Sequence, residues 1–289
     1  MANIMKALTE GTDASGGFVV PEELSRSILE FIQAKAVTID DLQTVPMGSD
    51  ELRLPSLTAG STVRVGVGEN AAITGADLGM GRTTMSAVKF AALMTASTEL
   101  LEDAPQSVAT IVSEQFGKDL ALSIDNQILG TTTANFAGAL GFTGNANNTL
   151  SSSSLSWQEL VSASHLVLAD DQPSPDVMYS HPNNVRTFKL LTDGNARPIF
   201  DEALYGSPLL RNGVIGTLLG MEIKPTTQLT TSSLIMGVKK QFGYYATRRN
   251  IRFNRFYNIA TDDWVFQANT RVAFAIKHNN AYALIHSIA

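Results

Sequence analysis

The sequence has no cysteine, so it can form neither a disulfide framework nor a thiolate-bound metal site. Positive charge is also scarce, because 21 Lys and Arg against 27 Asp and Glu give a net charge of −6. Clustered cations bind duplex nucleic acid, so this balance argues against a general nucleic-acid-binding surface. The sequence contains neither an apolar run of about 18 residues nor a signal-peptide pattern. We therefore expect a soluble protein that is neither exported nor embedded in a membrane.

Glycine, in contrast, is concentrated in one stretch, VRVGVGENAAITGADLGMG, at residues 63–81. Gly66, Gly68 and Ala71 follow alternating valines and match the dinucleotide-binding pattern. That site needs a helix to begin at the third position, because the free amides of its first turn bind the pyrophosphate. Further glycines follow at once, and each costs a helix about 1 kcal/mol relative to alanine. The stretch is therefore predicted to be a loop, and a nucleotide-dependent enzyme stays as an alternative function that a thermal-shift screen with nucleotides would test.

No group of titratable residues has the spacing of an active site. The closest two histidines, His278 and His286, suit neither a shared helix face nor a metal-binding hairpin. Neighbouring side chains point apart, so three adjacent acidic pairs are predicted to lie in turns or helix caps: Asp40 and Asp41, Asp170 and Asp171, and Asp262 and Asp263. We predict no catalytic residue, no cofactor-binding residue, no metal ligand and no cofactor, and hence no enzyme.

The residues on both sides of the glycine-rich loop predict an extended ribbon. From residue 52 to about residue 95, apolar side chains recur at every second position, which is the period of a strand. Two legs of about 18 residues each would span roughly 50 to 60 Å on either side of the tip. A two-stranded ribbon is marginally stable alone, so it has to lie on its own body or on a neighbouring subunit.

Helices are predicted before and after the ribbon. Pro21 and the two glutamates after it mark the start of an amphipathic helix that follows a loose N-terminal arm. Apolar residues recur about every four positions over residues 108–128, and Gly130 provides a stop, so this segment is predicted to be one helix of about 23 residues.

The second half of the chain predicts a compact α+β lobe. Ser156 and Glu159 have the spacing of a capping box and predict a helix that runs to about Ala169. A strand at residues 177–179 and a helix from near Pro182 follow, and the rest of the chain is mostly strand-like.

Positive charge is clustered at Arg248, Arg249, Arg252 and Arg255. One interpretation is a nucleic-acid-binding patch. We favour the other, in which these guanidinium groups form bidentate pairs with carboxylates in interfaces.

Several short motifs occur in an order that is typical of one protein family. They are GGFVVPEELSRSILEFI, VRVGVGEN, MSAVKFAALMTASTELLEDAP, SHPNNVRTFKLLTDGNARPIF, LLGMEIKPTTQL, LIMGVKKQFGYYATRRNIRF and DDWVFQANTRVAFAIKHNNAYALI. Taken together they resemble the tailed-bacteriophage major capsid proteins of the Hong Kong-97-type fold, over nearly the whole chain.

The resemblance implies an α+β fold with an N-terminal arm, an extended loop, a peripheral domain that contains a long spine helix, and an axial domain. The expected division of the chain is as follows: residues 1–45 for the arm and its helix, 46–95 for the extended-loop hairpin, 96–135 and 247–271 for the peripheral domain, and 136–246 and 272–289 for the axial domain.

The resemblance also implies the function. A major capsid protein self-assembles, as pentamers and hexamers, into the icosahedral shell that encloses the double-stranded DNA of a tailed phage, and its ribbon lies over a neighbour. Scaffolding and portal proteins are expected partners and a decoration protein is a further one, whereas DNA is a partner only indirectly and a membrane is none. The expected location is the virion, assembled in the cytoplasm of the bacterial host. The alternative is an encapsulin nanocompartment shell, although the polar EGTDASGGFVVPEE favours an arm over the first helix of encapsulins.

Two departures from the family pattern lead to further expectations. Some members cross-link neighbouring subunits through a lysine on the extended loop, but no lysine lies between Lys35 and Lys89 here. We therefore predict a shell without covalent cross-links. Some members also carry an N-terminal internal scaffold of about a hundred residues, which a protease removes. Only a short segment precedes Gly16 here, so such a scaffold either has been removed or, as Met1 favours, never existed. In the second case we expect a separate scaffolding protein.

Overall fold

The computed structural model describes residues 36–59, 65, 77, 79–103, 108–131, 136–142, 149–151, 155–169, 172–192 and 216–286. The predicted arm with its first helix, most of the glycine-rich tip and the acidic pair at 170–171 lie outside the described residues. The described part confirms the α+β class, and none of its helices is long and apolar enough to cross a membrane.

The strands in chain order are β1 (Gln43–Pro46), β2 (Glu51–Ala59), β3 (Gly79–Ser86), β4 (Val88–Ser97), β5 (Thr149–Ser151), β6 (Val177–Ser180), β7 (Gly216–Leu218), β8 (Met221–Pro225), β9 (Ser233–Gly237), β10 (Gly243–Asn258), β11 (Asp263–Ile276) and β12 (Tyr282–His286). The helices are α1 (Thr98–Asp103), α2 (Val108–Leu129), α3 (Trp157–Ala169) and α4 (Pro182–Leu190), and a 3-10 turn covers Ile39–Asp41.

The strands form two sheets and a separate ribbon. One sheet has the order β1-β10-β11-β4 and is antiparallel except for the parallel pair of β1 and β10. The other has the order β5-β12-β9-β6-β8-β7 and mixes parallel and antiparallel neighbours. The ribbon is the antiparallel pair of β2 and β3, with Glu51 opposite Ser86.

The predicted ribbon is wrong in its second leg. After Ser86 the chain leaves β2, and from Val88 onward it pairs with β11 in the four-stranded sheet. The two-residue alternation continues across Ala87, so the pattern predicts a strand correctly but does not reveal that the strand changes partner. The described ribbon has about nine residues on each side, or roughly 30 Å, before the tip.

The predicted spine helix is confirmed as α2, which has 22 residues and connects two hydrophobic cores. Its first half places Phe116 against Phe253 of β10, with ring centroids 6.0 Å apart. Its second half contributes Ile124 and Ile128 to the central core, where they join side chains from both sheets. The helix therefore fixes the four-stranded sheet relative to the six-stranded one.

The helices of the second half lie where the sequence predicts them. In the capping box, the Ser156 amide donates to Glu159 Oε2 at 2.7 Å and the Glu159 amide donates to Ser156 Oγ at 3.4 Å. The buried face of α3, with Leu160 and Val167, packs in the same core as Met178 and Ile285 of the six-stranded sheet. One face of this sheet therefore has its own core with α3, whereas the other face packs in the central core that it shares with the spine helix.

Candidate assembly surfaces

The ribbon lies on its own body near its root. One face of the ribbon places Leu52, Leu54 and Met85 against a small core that also contains Ala246 and Ala273 of β10 and β11. The opposite face is exposed at Glu51, Arg53 and Pro55 on β2, and at Met80, Arg82 and Thr84 on β3. The ribbon thus carries one covered face and one face that is open to a partner.

A groove of about 760 Å³ lies between the ribbon and the body. Its lining includes Ser56 and Thr83, which lie on the covered face of the ribbon, and Lys277 and Asn279 of the turn after β11, together with Phe136. The covered face of the ribbon is therefore not packed against the body along its whole length.

An ionic contact connects the ribbon root to the four-stranded sheet. Asp50 Oδ1 lies 2.5 Å from Arg248 Nη1 of β10 and 3.2 Å from Arg271 Nη1 of β11. The carbonyl of Asp50 also accepts a hydrogen bond of 2.9 Å from the Ala87 amide. Asp50 thus contacts the two central strands of the sheet and the residue at which the chain leaves the ribbon.

The second connection is a buried polar cluster around the 3-10 turn that precedes β1. Asp41 Oδ2 accepts hydrogen bonds from Tyr179 Oη at 2.6 Å and from Lys224 Nζ at 2.7 Å, and the side chains of Asp41 and Lys224 are only 5% and 4% exposed. On the other side of the same segment, Asp125 of α2 accepts from the Val37 amide at 2.8 Å and from Thr38 Oγ1 at 2.5 Å. The segment that enters the ribbon is therefore held between the spine helix and the six-stranded sheet.

Burial shifts the pKa values of this cluster. Desolvation raises the pKa of the Asp125 carboxyl, although its hydrogen bonds with Thr38 and Val37 oppose the shift. Desolvation, followed by the charge of Asp41 and the hydrogen bond with that carboxylate, raises the pKa of Tyr179 well above its usual value. The Tyr179 hydroxyl thus keeps its proton and remains a donor to Asp41.

The end of the β10–β11 hairpin is a second exposed surface, besides the open face of the ribbon. Phe256, Tyr257 and Ile259 are 56%, 46% and 85% exposed. The turn is ordered by Asp262, which has a φ of 54° and accepts hydrogen bonds from Tyr257 Oη at 2.6 Å and Thr98 Oγ1 at 3.0 Å. The hydrogen bond from Tyr257 lowers the pKa of this carboxyl. An ordered turn that exposes apolar side chains is typical of a contact surface.

Both acidic pairs that the structure describes lie at turns, as predicted: Asp40 and Asp41 in the 3-10 turn, and Asp262 and Asp263 at the end of the β10–β11 hairpin. The prediction did not include the second role of Asp41, which is also the centre of the buried cluster. Its partners Tyr179 and Lys224 are 138 and 183 residues away in sequence, so no local signal could have indicated them.

Three of the four clustered arginines contact different partners within the chain. Arg248 pairs with Asp50 of the same chain through a single nitrogen, so the predicted carboxylate partner is present but the pair is neither bidentate nor between subunits. Arg249 donates to the Asn269 side chain, and the Arg255 guanidinium lies 4.5 Å from the centroid of the Trp264 ring.

Histidines and acidic residues are dispersed in the described part of the chain. His181 caps α4, where its Nδ1 accepts from the Asn183 amide at 3.2 Å, and His165 lies exposed on α3. Among the described residues, no group of three or more histidines and carboxylates has an arrangement that would hold a metal ion.

Comparisons with known proteins identify the family and the fold. The model of the phage capsid family matches residues 16–286. The chain is similar in structure to the capsid of the native GTA particle, with a TM-score of 0.72 and 16% identity over 88% of this chain and 91% of that one. It is also similar to a chain of Mycobacterium phage Adephagia, with a TM-score of 0.70 and 14% identity over 99% and 98%.

A third similar structure is the virus-like particle from Pyrococcus furiosus, with a TM-score of 0.59 and 11% identity over 92% of this chain and 98% of that one. A sequence comparison with curated proteins returned no match. At these identities the structures establish the fold, and the family match over nearly the whole chain establishes the family that the motifs predicted. The chain belongs to the phage capsid family and is a structural protein of a capsid shell.

Proposed function

We propose that copies of this chain, as the major capsid protein, form pentamers and hexamers that close into an icosahedral shell around the double-stranded DNA of a tailed phage. The observation that carries the proposal is the family match over residues 16–286. The GTA capsid, which shares the fold, was described with fivefold symmetry. A ring of identical subunits around such an axis needs complementary surfaces at both sides of each subunit.

The exposed surfaces suit this role. The open face of the ribbon and the apolar turn that contains Phe256 and Ile259 lie on different elements of the subunit. Each interface can then be modest in area, because closure of the shell multiplies many weak contacts. The interaction is structural, so no catalytic group is assigned.

The proposed domain division follows the two sheets. The long helix α2 with the four-stranded sheet forms the peripheral unit, and the six-stranded sheet with α3 and α4 forms the axial unit. Separate hydrophobic cores support this division, since Phe116 and Phe266 belong to one and Leu160 and Met236 to the other. The division expected from the sequence assigns residues 46–95, and with them most of β4, to the extended loop, whereas the pairing of β4 with β11 favours placing β4 in the peripheral unit.

The proposed partners are those of a shell that fills with DNA. A scaffolding protein guides assembly in the host cytoplasm, a portal occupies one vertex, and a decoration protein binds outside. The DNA contact is indirect, as the net charge of −6 favours. The encapsulin alternative has less support, because the family match is to phage capsids.

Electron microscopy of purified particles tests the proposal. Expression of the chain with its scaffolding protein is expected to give closed shells with pentamers and hexamers. Particles that package protein cargo, without DNA or a portal vertex, would favour an encapsulin. A chain that stays monomeric in size-exclusion chromatography and responds to nucleotides in a thermal-shift screen would contradict both.

The shell is expected to hold without covalent bonds between subunits. No lysine lies between Lys35 and Lys89, so the ribbon has no amine for an isopeptide bond. Mature particles boiled in detergent are expected to run as a single band of about 31.0 kDa on a denaturing gel. A ladder of covalent multimers would contradict this prediction, and a known cross-linked capsid run beside it is the control.

A further inference from the structure

The ribbon is attached to the body by two very short connections. On one side, β1 ends at Pro46 and β2 begins at Glu51. On the other side, Ala87 alone separates β3, which pairs with β2, from β4, which pairs with β11. Both strands of the ribbon therefore leave the body at one place, which is the geometry of a pivot.

Small and adaptable side chains predominate under the pivot. Ala246 and Ala273 of the sheet are fully buried there and present only methyl groups, and Met47 and Met85 lie beside them. The partly buried Leu52, Leu54 and Tyr244 pack at the edge of this cluster. Fixed packing angles come from large side chains that interdigitate, whereas methyl surfaces offer no ridges and methionine adapts to many shapes. Apolar packing thus attaches the ribbon to the body without selecting one angle strongly.

Beyond this surface the ribbon has room to move. The groove of about 760 Å³ lies under Ser56 and Thr83, on the covered face. A tilt of the ribbon toward the body would narrow the groove without compressing a packed core. The angle of the ribbon is therefore decided by whatever holds its root.

Asp50 is the group that holds it. Its Oδ1 is shared by Arg248 and Arg271, which come from neighbouring strands, at 2.5 and 3.2 Å. Arg248 lies where the register of β10 shifts against β11, and such a bulge redirects side chains. Without the carboxylate the two guanidinium groups would face each other as like charges, so Asp50 restrains the root in a definite direction.

The restraint is also easy to release. The side chain of Asp50 is 67% exposed, and those of Arg248 and Arg271 are 27% and 35% exposed. Water can replace such pairs at low cost, and salt screens them. The buried pair of Asp41 and Lys224, in contrast, cannot open without desolvated charges being left unpaired.

We propose that Asp50 is a positioning residue for assembly, because its pairs with Arg248 and Arg271 set the angle between the ribbon and the body. Since water can replace these pairs at low cost, the same chain can adopt the different ribbon angles that rings of different curvature need. This inference rests on the proposed shell function. Subunits in pentamers and hexamers can then differ in the angle of the ribbon at its root, while their hydrophobic cores stay the same.

The test compares Asp50→Asn with a matched control. Asn keeps the shape of the side chain and the backbone carbonyl that accepts from Ala87, but it removes the charge. Glu51→Gln makes the same charge change at the next residue, where the carboxylate pairs with Arg53 within the ribbon at 3.3 Å and does not cross to the sheet. The readouts are hydrogen exchange of the Ala87 amide in the unassembled subunit and the distribution of ribbon angles and particle diameters by cryo-electron microscopy.

Asp50→Asn is expected to make the Ala87 amide exchange roughly twofold to fivefold faster, which is the size expected from an exposed ion pair, and to broaden both distributions. Glu51→Gln should have the same exchange rate at Ala87 and the same distributions of ribbon angle and particle diameter as the wild type. The double variant Asp50→Asn with Arg248→Gln should exchange no faster than Asp50→Asn alone, because the pair is already broken. About 1 M salt should raise the exchange rate of the Ala87 amide in the wild type toward the rate in Asp50→Asn.

Equal exchange and equal angle distributions in Asp50→Asn and the wild type would overturn the inference. If Asp50→Asn folds poorly by circular dichroism, Arg271→Gln replaces it, since this change removes the weaker of the two pairs from the other strand. Failure of the wild type to form shells would refute the proposed function instead, and the exchange of Ala87 in the free subunit would still decide the role of Asp50.

Discussion

Removal of the Asp41 carboxylate is the change expected to damage the described structure most. Asp41→Ala leaves the Lys224 ammonium buried without its counter-charge, and breaking a buried pair from one side costs about 3–5 kcal/mol. It also leaves the Tyr179 hydroxyl without its acceptor, which costs about 1–3 kcal/mol more. Since a folded domain has only about 5–15 kcal/mol of stability, the variant should unfold at a much lower urea concentration or fail to accumulate.

The double variant Asp41→Ala with Lys224→Met gives the sharper result. It removes the unpaired charge, and replacement of both members of a buried pair is often nearly neutral, so its free energy of unfolding should recover by at least about 2 kcal/mol. Asp40→Ala is the matched control, because that neighbouring side chain is exposed and its loss should change stability by less than about 0.5 kcal/mol. The assay is urea unfolding of the unassembled subunit, followed by circular dichroism.

Additive effects of Asp41→Ala and Lys224→Met would refute this reasoning. So would a loss below about 1 kcal/mol for Asp41→Ala, because removal of the carboxylate that bonds directly to a buried ammonium should cost more than that.

Two further predictions concern backbone space and pH. Gly138→Ala should cost about 3 kcal/mol in urea unfolding, since the added Cβ would lie 2.4 Å from the Gly130 carbonyl oxygen, whereas Gly48→Ala, with nothing within 4 Å, should be nearly neutral. Burial raises the pKa of Tyr245 to about 12. Between pH 9 and 11 the tyrosine loses its proton in the unfolded chain and keeps it in the folded one, so the free energy of unfolding should fall by about 1.3 kcal/mol. Tyr245→Phe should remove this part of the pH dependence. The same pH dependence in Tyr245→Phe and the wild type would contradict the prediction.

Local signals in the sequence predicted the local structure. The spine helix was predicted because its apolar stripe and Gly130 lie within one segment, and the capping box because Ser156 and Glu159 are three residues apart. The order of such segments was also enough to indicate the capsid family, since the family's motifs are spread along the chain.

Contacts between distant parts of the chain could not be predicted in the same way. The apolar alternation through Ala87 is the same whether the strand pairs with β2 or with β11, so the ribbon was predicted too long. Asp41 has no neighbour in sequence that indicates a buried pair. The roles of Arg248 and Asp50 likewise depend on a meeting of residues that lie far apart in the chain.

The support under the ribbon has a consequence for the timing of synthesis. β1 and β2 are among the first strands made, but Arg248, Arg271 and the alanines beneath the ribbon belong to β10 and β11, near the end of the chain. A ribosome releases the early strands long before their support exists. An unfinished or truncated chain therefore carries a ribbon with no defined direction, and only a completed polypeptide can present it to a neighbour. Incomplete chains are therefore expected to be excluded from the particle, because their ribbon is not positioned for contact with a neighbouring subunit.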